Sequence, residues 1–272
     1  MLRLFKCLLL QFIEDLSDRK LMRFLEENNA AKWFVGFGLA EITPEHTVFC
    51  KFRKRLGTKF LSEVFRDLRE QLKRQGLMNE VFSFVDPSHL IAKASLWEER
   101  DRAIQGKYER LNNEVLPKAA IDKQARIGCK GQSKFWYGYK KHTSVDMQSG
   151  LINKIAIRPA NESDAKGLAP VCPTQGSIYA DKAYCVSRAK KAAAKRGCHL
   201  AAIKKNNMKD KNIEQDRWYT KLRSPYERVF SQQNRRVRYR GIMKNQFAAM
   251  MEAIGFNLKR LCVLDPPNLC LS

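Results

Sequence analysis

The chain has 272 residues and a net charge of +23, because 51 lysines and arginines outnumber 28 aspartates and glutamates. An excess of this size repels itself in a compact state, so it indicates a polyanionic partner, with nucleic acid the first to consider. The apolar content of 44% excludes a disordered basic tail, which would be far poorer in apolar residues.

Motifs exclude several further classes of protein. The apolar start, MLRLFKCLLLQFIED, is too short and too charged to span a membrane, and it lacks the cleavage site of a signal peptide. The eight cysteines form no CxxC pair and no metal-ligand spacing with the four histidines, which predicts reduced thiols in a cytoplasmic protein. The sequence also contains no glycine-rich phosphate loop and no dinucleotide fingerprint.

Most of the charge excess lies in one segment. Residues 182–244 contain 19 lysines and arginines against four acidic residues, whereas residues 1–60 contain 11 against seven. A surface with so few interspersed acids is expected to bind phosphates with a steep salt dependence and without base specificity. The alternative is a set of solvated helix faces, for which SRAKKAAAKRG is the obvious candidate.

Residues 1–79 are predicted to form a small helical region. Apolar residues recur at helical spacing from Leu8, Ser17 can cap a second helix, and a third opens near Pro44 and ends at Gly57. This arrangement resembles a helix-turn-helix, in which the basic third helix would meet DNA. An amphipathic helix with a solvated basic face is the alternative. The candidate DNA contacts on this helix are Lys51, Arg53 and Lys54.

Residues 80–265 predict a mixed α/β domain. Strand-like segments are VFSFVD, KFWYGYKKHTSVD, LINKIAIRPA, SIYADKAYC and HLAAI, and helical segments follow the third, fourth and fifth of them. The MQSG linker predicts a hairpin between the second and third segments. This is the element order of the ribonuclease H fold, a mixed sheet flanked by helices. The polar stretch around residues 96–133 predicts an insertion.

Three acidic residues are predicted to converge in this fold. Asp86 is expected to end the first strand and Asp181 the fourth, and these strands are neighbours in the ribonuclease H topology. A helix predicted over Pro225–Arg238 would add Glu227. Such a cluster can hold two divalent cations about 4 Å apart for phosphodiester cleavage, with Mg²⁺ preferred and Mn²⁺ a substitute. Taken alone, an aspartate at a strand end is more often a turn or cap residue, and a glutamate on a basic helix is more often an ion-pair partner.

The segments around these acids are VDPSHLIAKAS, YADKAYC and RSPYERVFSQQNRRVRYRGIMKN. They resemble the three catalytic segments of bacterial DDE insertion-sequence transposases, specifically insertion sequence family five. The separations of 95 and 46 residues between successive acids suit that group. KGQSKFWYGYKKHTSVDMQSGLINKIAIRPANESD resembles the family's strand pair and the NExD that follows. LLLQFIEDLSDRKLMRFL with TPEHTVFCKFRKRL resembles its DNA-binding region.

This resemblance implies a function and a site. Asp86, Asp181 and Glu227 would bind two catalytic Mg²⁺ ions, cleave DNA at the ends of a mobile element, and allow the freed 3′-hydroxyl to attack target DNA. The partner would be double-stranded DNA, on which the protein assembles as a homo-oligomer at the nucleoid.

The resemblance also implies DNA contacts near the third acid. The family flanks its Glu as Y-x2-R-x3-E-x6-K, and Arg223 occupies the Arg position, whereas Thr220 and Asn234 replace the Tyr and the Lys. On the predicted helix, Arg235 or Arg238 would share the face of Glu227 and take over the phosphate contact. The predicted fold places two further candidate DNA contacts, Lys140 and His142, on the second strand, where a solvated strand face explains them equally well.

The sequence leaves three alternatives open. Family members have several dozen residues ahead of the segment that corresponds to LLLQF, which predicts a shortened N-terminal region and allows a truncated remnant that only binds DNA. A ribonuclease H-like nuclease without strand transfer shares the predicted fold. A general RNA-binding protein is the least favoured, because the sequence shows no aromatic stacking platform.

Overall fold

The computed structural model describes residues 1–92, 121–130, 134–208, 211–231 and 233–264. Contacts divide the chain into two compact units, Met1–Leu68 with Met250–Ser272 and Arg69–Ala249. Of the predicted insertion at residues 96–133, residues 96–120 and 131–133 lie outside the described residues. Within the part of the chain that is described, no helix is both long enough and apolar enough to cross a membrane.

The first unit is helical. Its helices are α1 (Leu2–Ile13), α2 (Asp18–Glu27), α3 (Asn29–Val35) and the first part of α4 (His46–Arg74). The Ser17 side chain caps α2 by accepting a hydrogen bond from the Lys20 amide at 3.2 Å. At Gly57 the backbone has φ 68° and ψ 162°, which interrupts α4 where the sequence predicts a break. The helices enclose a core of buried side chains that includes Leu8, Leu21, Leu25, Val35, Phe49 and Leu61.

The second unit is built on a mixed sheet. Its strands are β1 (Phe82–Ile91), β2 (Arg126–Lys130), β3 (Lys134–Asp146), β4 (Ile152–Pro159), β5 (Ser177–Ala180) and β6 (His199–Ala202). The strand order is β2-β3-β1-β5-β6, and β4 also pairs with β3. The pairs β1–β3, β3–β4 and β2–β3 are antiparallel, whereas β1–β5 and β5–β6 are parallel. This confirms the predicted ribonuclease H-like arrangement and the β3–β4 hairpin.

Helices pack against both faces of the sheet. The helices of this unit are α5 (Asp164–Val171), α6 (Ser187–Ala194), α7 (Ile213–Arg223), α8 (Glu227–Ser231) and the start of α9 (Ile242–Leu264). On one face, Val85, Ile178 and Ala180 join the apolar side chains of α5 and α6 in a buried cluster. The other face carries aromatic side chains that meet α7 and α8, since Phe84 lies 5.1 Å from Phe230 between ring centroids.

Three expectations from the sequence are wrong. Strand β1 continues to Ile91 instead of ending at Asp86, because it keeps its antiparallel pairing with β3. Residues 126–130 form β2 inside the expected insertion. The helix expected over Pro225–Arg238 ends at Ser231. The reason is pairing with β1: the Ile91 amide donates to the Arg235 carbonyl at 2.7 Å, and the Ile91 carbonyl accepts from the Val237 amide at 2.9 Å.

The described cysteines carry free thiols, as expected from their spacing. They are Cys7, Cys50, Cys129, Cys172, Cys185, Cys198 and Cys262.

Candidate active site

Asp86 and Asp181 occupy matching positions on neighbouring strands. The parallel ladder of β1 and β5 ends with the pair Val85 and Ala180, and each aspartate is the next residue along its strand. There β5 leaves the sheet for a 3₁₀ turn at Lys182–Tyr184, which Asp181 caps by accepting a hydrogen bond from the Lys182 amide at 2.7 Å. The sheet therefore brings two carboxylates to the point where the two strands separate.

Arg223, the last residue of α7, reaches into this point. Its Nη1 lies 3.6 Å from Asp181 Oδ1, and its guanidinium carbon lies 5.0 Å from the centre of the Phe84 ring. The Arg223 side chain is only 10% exposed, against 42% for Asp181. A cation held between an aromatic face and a carboxylate is stabilised by both contacts. Arg223 is thus part of the carboxylate site in this structure.

The charge at this point is only partly balanced. The pKa of Asp86 is raised to about 7, mainly by burial; the positive charge of Arg223 opposes this shift, and the negative charge of Asp181 adds to it. The carboxylate of Asp164 also raises the pKa of Asp86. A cation bound here would stabilise the ionised form of Asp86, which burial and the neighbouring acids disfavour.

Lys140 and His142 lie inside the unit, although the sequence suggested DNA contact. Lys140 Nζ forms an ion pair with Asp164 Oδ1 at 2.8 Å and donates to the Glu162 carbonyl at 2.7 Å. His142 is fully buried, with Nδ1 3.4 Å from the Tyr184 hydroxyl. Burial lowers the pKa of His142 to about 4, so its ring is neutral at physiological pH. In this structure both side chains contact protein.

The residues after α7 are arranged differently from the prediction. Glu227 is exposed and begins α8, a helix of five residues. Arg235 is exposed and Arg238 is partly buried, and both follow the end of α8. The expected helical face that joins Glu227 to the two arginines is therefore absent. Glu227 stands four residues after Arg223, the residue that contacts Asp181.

The basic candidate residues of α4 differ in exposure: two face solvent and one forms an ion pair. Lys51 and Lys54 are exposed on α4. Arg53 instead forms an ion pair with Asp18 of α2, with 2.7 Å between Nη1 and Oδ1, and also contacts Gln11 of α1. The Arg53 side chain is 11% exposed. Of the three basic candidates, only Lys51 and Lys54 present their charge to solvent.

An aromatic groove that the sequence did not predict lies beside the carboxylate site of the second unit. Phe82 on β1, Tyr179 on β5 and Trp218 on α7 line a cavity of about 450 Å³. The Tyr179 ring centroid lies 6.1 Å from both the Phe82 and the Trp218 centroids. No local sequence pattern links these residues, because they come from segments more than 35 residues apart. The one local signal is the pair of adjacent aromatic residues at positions 218 and 219.

Comparison with protein families gives two matches. Residues 105–258, more than half of the chain, match the family "Transposase DDE domain", and residues 1–55 match "Transposase domain (DUF772)". No curated protein matches the chain. The fold and the first match define the class, a ribonuclease H-like enzyme that acts on DNA. The chain belongs to the DDE transposase family. Asp181 and Glu227 lie within the matched residues, and Asp86 precedes them.

A DDE transposase domain implies the use of a divalent metal ion. The donor set at the strand ends fits such an ion, since Asp86 and Asp181 offer the carboxylate oxygens that hard divalent cations prefer. Among the described residues, however, no three His, Cys, Asp or Glu side chains lie close enough together to hold a metal. Among the described residues, the ends of β1 and β5 thus offer two carboxylates of the kind that bind such an ion.

Proposed function

We propose that this chain is a transposase of insertion sequence family five, with Asp86, Asp181 and Glu227 as its catalytic and metal-binding residues. The observation that carries the proposal is the position of the two aspartates, each one residue beyond the last parallel pair of β1 and β5. Glu227 is the proposed third carboxylate, supported by the family resemblance of its segment and by its closeness in sequence to Arg223.

The proposed cofactor is Mg²⁺, two ions per site, held by the three carboxylates. When bound, such ions activate the attacking water or 3′-hydroxyl and stabilise charge on the leaving oxygen. The protein residues have other roles. The sheet fixes Asp86 and Asp181 relative to each other, and Arg223, held against Phe84, supplies a positive charge beside the scissile phosphate.

The remaining proposals concern DNA and assembly. We place a helical DNA-binding region at residues 1–79, in which Lys51 and Lys54 contact phosphates, and the catalytic domain at residues 80–265. Exposed basic residues of the 182–244 segment, Arg235 among them, would hold the DNA backbone near the carboxylates. The protein would act as a homo-oligomer on element ends at the nucleoid.

The test is Asp181→Asn in a cleavage assay. The substrate is a plasmid that carries the gene with its native flanking DNA, incubated with Mg²⁺. Loss of several kcal/mol of charge stabilisation corresponds to a fall of ~10³-fold or more in the rate of strand cleavage, while retention of the DNA on a gel stays near wild type. Asp67→Asn, an exposed acid on α4, is the control and should cleave normally.

Undiminished cleavage by Asp181→Asn would overturn the assignment. Adding a supercoiled target separates a transposase from a nuclease, since only the transposase joins the element end to the target. Salt-sensitive DNA binding without cleavage by the wild-type chain would identify a remnant that has lost activity.

A further inference from the structure

The helix α3 and the loop after it expose apolar side chains in the first unit. Ala31, Lys32 and Val35 of α3 are buried, so the helix turns its opposite side to solvent. The exposed apolar residues of this helix and loop, which we call the α3 surface, are Trp33, Phe34, Leu39 and Ile42. Trp33 is 80% exposed and Ile42 is 92% exposed. Large apolar side chains clustered at a surface are typical of a binding site.

Contacts within the first unit hold this loop in one position. The Lys32 ammonium donates to the Leu39 carbonyl at 2.6 Å, which ties the loop to α3. The Glu41 carboxylate accepts hydrogen bonds from Arg3 of α1 at 2.7 Å and from the Gly38 amide at 3.0 Å. Because these contacts fix the backbone, little conformational entropy is lost when a partner covers the apolar side chains.

The segment that carries the α3 surface has a charge opposite in sign to that of the whole chain. Residues 26–45, all of which the structure describes, carry four exposed glutamates: Glu26, Glu27, Glu41 and Glu45. Lys32, the basic residue of this range, is buried. The chain as a whole has a net charge of +23. An acidic and apolar surface repels phosphates, so it fits a protein better than DNA or an anionic membrane.

Two basic residues of α1 border the α3 surface. Lys6 Nζ lies 5.6 Å from the centre of the Phe34 ring, and the guanidinium carbon of Arg3 lies 5.2 Å from the centre of the Phe37 ring. The Arg3 side chain is half exposed although it forms an ion pair with Glu41. The apolar residues thus have both acidic and basic side chains at their border. When a two-fold axis brings the same surface of two copies together, the acids of one copy can meet the bases of the other.

We propose that two copies of this chain associate through the α3 surface in the absence of DNA, as a two-fold dimer. With their large positive charge, two copies repel each other over most of their surface, whereas residues 26–45 add no exposed positive charge to that repulsion. Burial of Trp33 and its apolar neighbours stabilises the dimer, since aromatic residues buried at the centre of an interface contribute much of its binding free energy. The inference deepens the homo-oligomer of the proposed function, on which it rests, by naming its contact surface.

The experiment is sedimentation velocity of the full chain in EDTA, after nuclease treatment has removed nucleic acid. We expect a reversible dimer whose dissociation constant falls as the salt concentration rises from ~0.1 M to ~0.5 M, because salt screens the repulsion between the two copies. Association mediated by DNA would show the opposite salt dependence. A dimer that dissociates as the salt concentration rises would therefore overturn the proposal.

Three variants assign the dimer to the α3 surface. Ile42→Asp places a charge in the apolar contact and should raise the dissociation constant by ~10-fold or more. Because Ile42 is almost fully exposed, the melting temperature of this variant should equal that of the wild type at concentrations where both are monomeric. Trp33→Ala should weaken the dimer by a similar factor. Ile213→Asp changes an isoleucine of α7 that is 60% exposed, and it should leave the dimer unchanged.

A chain that is monomeric at every concentration tested, or wild-type association in either Ile42→Asp or Trp33→Ala, would overturn the proposal. Equal weakening by Ile213→Asp would also overturn it, because the effect would then not be specific to the α3 surface. A monomeric wild-type chain with Asp181-dependent cleavage would reject the dimer and leave the proposed function standing. An intact dimer together with undiminished cleavage by Asp181→Asn would instead reject only the proposed catalytic residues.

Discussion

Two groups of ionisable side chains are held differently by this protein. Those on the sheet are buried or half-buried: Lys140 is 9% exposed, His142 is fully buried, and burial raises the pKa of Asp86. Three candidate residues on the helices, Glu227, Lys51 and Lys54, are instead exposed. The protein therefore sets the charge and position of these sheet groups, whereas these three helix groups face solvent. A residue type alone does not reveal to which group a position belongs.

The strongest challenge to this division is Glu227, an exposed helix residue to which we assign a role in the buried site. If Glu227 joins the two aspartates when DNA and metal bind, Glu227→Gln should reduce the rate of Mg²⁺-dependent cleavage by ~10³-fold, as loss of a metal-binding carboxylate does. Glu214→Gln, which changes an exposed acid at the start of α7, is the matched control and should cleave at the wild-type rate. Equal rates for the two variants would confine the site to the sheet.

A substitution at Lys140 tests whether a buried group of the sheet stabilises the fold. Lys140→Ala leaves Asp164 without its partner at 2.8 Å and removes the hydrogen bond to the Glu162 carbonyl. Breaking a largely buried ion pair should lower the free energy of unfolding by about 2–3 kcal/mol, measured by urea denaturation. Lys166→Ala, an exposed lysine on α5, should lower it by less than about 0.5 kcal/mol. Unchanged stability together with weaker DNA binding would identify Lys140 as a DNA contact instead.

Asp86 should make the free energy of unfolding depend on pH. Its pKa is raised from an ordinary value of 3.8 to about 7 by burial, so folding becomes less favourable as the pH rises from about 4 to 7. Asp86→Asn removes this penalty. In EDTA the variant should exceed wild type by about 1–2 kcal/mol above pH 7, and the gain should disappear near pH 4. Asp181→Asn, which removes a more exposed carboxylate, should give no comparable gain. A gain that is independent of pH would contradict the assignment.

The elements that the sequence predicts best are strands of typical strand composition joined by a short turn. β3, β4 and their MQSG turn are confirmed, because aromatic and β-branched residues favour strands and the short linker favours a hairpin. The order of strands and helices then predicts that Asp86 and Asp181 emerge together, and the β1–β5 ladder places them one residue beyond its last pair. The identity of the fold and the neighbouring position of two acids were thus accessible from the sequence.

What the sequence could not predict depends on contacts between distant segments. RRVRYR satisfies helical spacing, yet its backbone pairs with Ile91 at the end of β1, and this long-range pairing replaces the last turns of the helix. Likewise, His142 and Lys51 are both basic, and only the packing of α5 and Tyr184 around His142 distinguishes them. The aromatic groove requires three segments to meet. Local sequence patterns carry no information about contacts between segments that are distant in the chain.

The smallest effect is expected for Lys51, the exposed helix residue, compared with Arg53 on the same helix. If Lys51 contacts a DNA phosphate, Lys51→Ala should weaken binding of a short duplex several-fold and reduce the slope of log affinity against log salt by about 0.9, without changing the melting temperature. Arg53→Ala should instead lower the melting temperature, because it breaks the ion pair with Asp18. Salt titrations by anisotropy and thermal melts separate the two outcomes. An unchanged salt slope in Lys51→Ala would mean that exposure on this helix does not by itself identify a DNA contact.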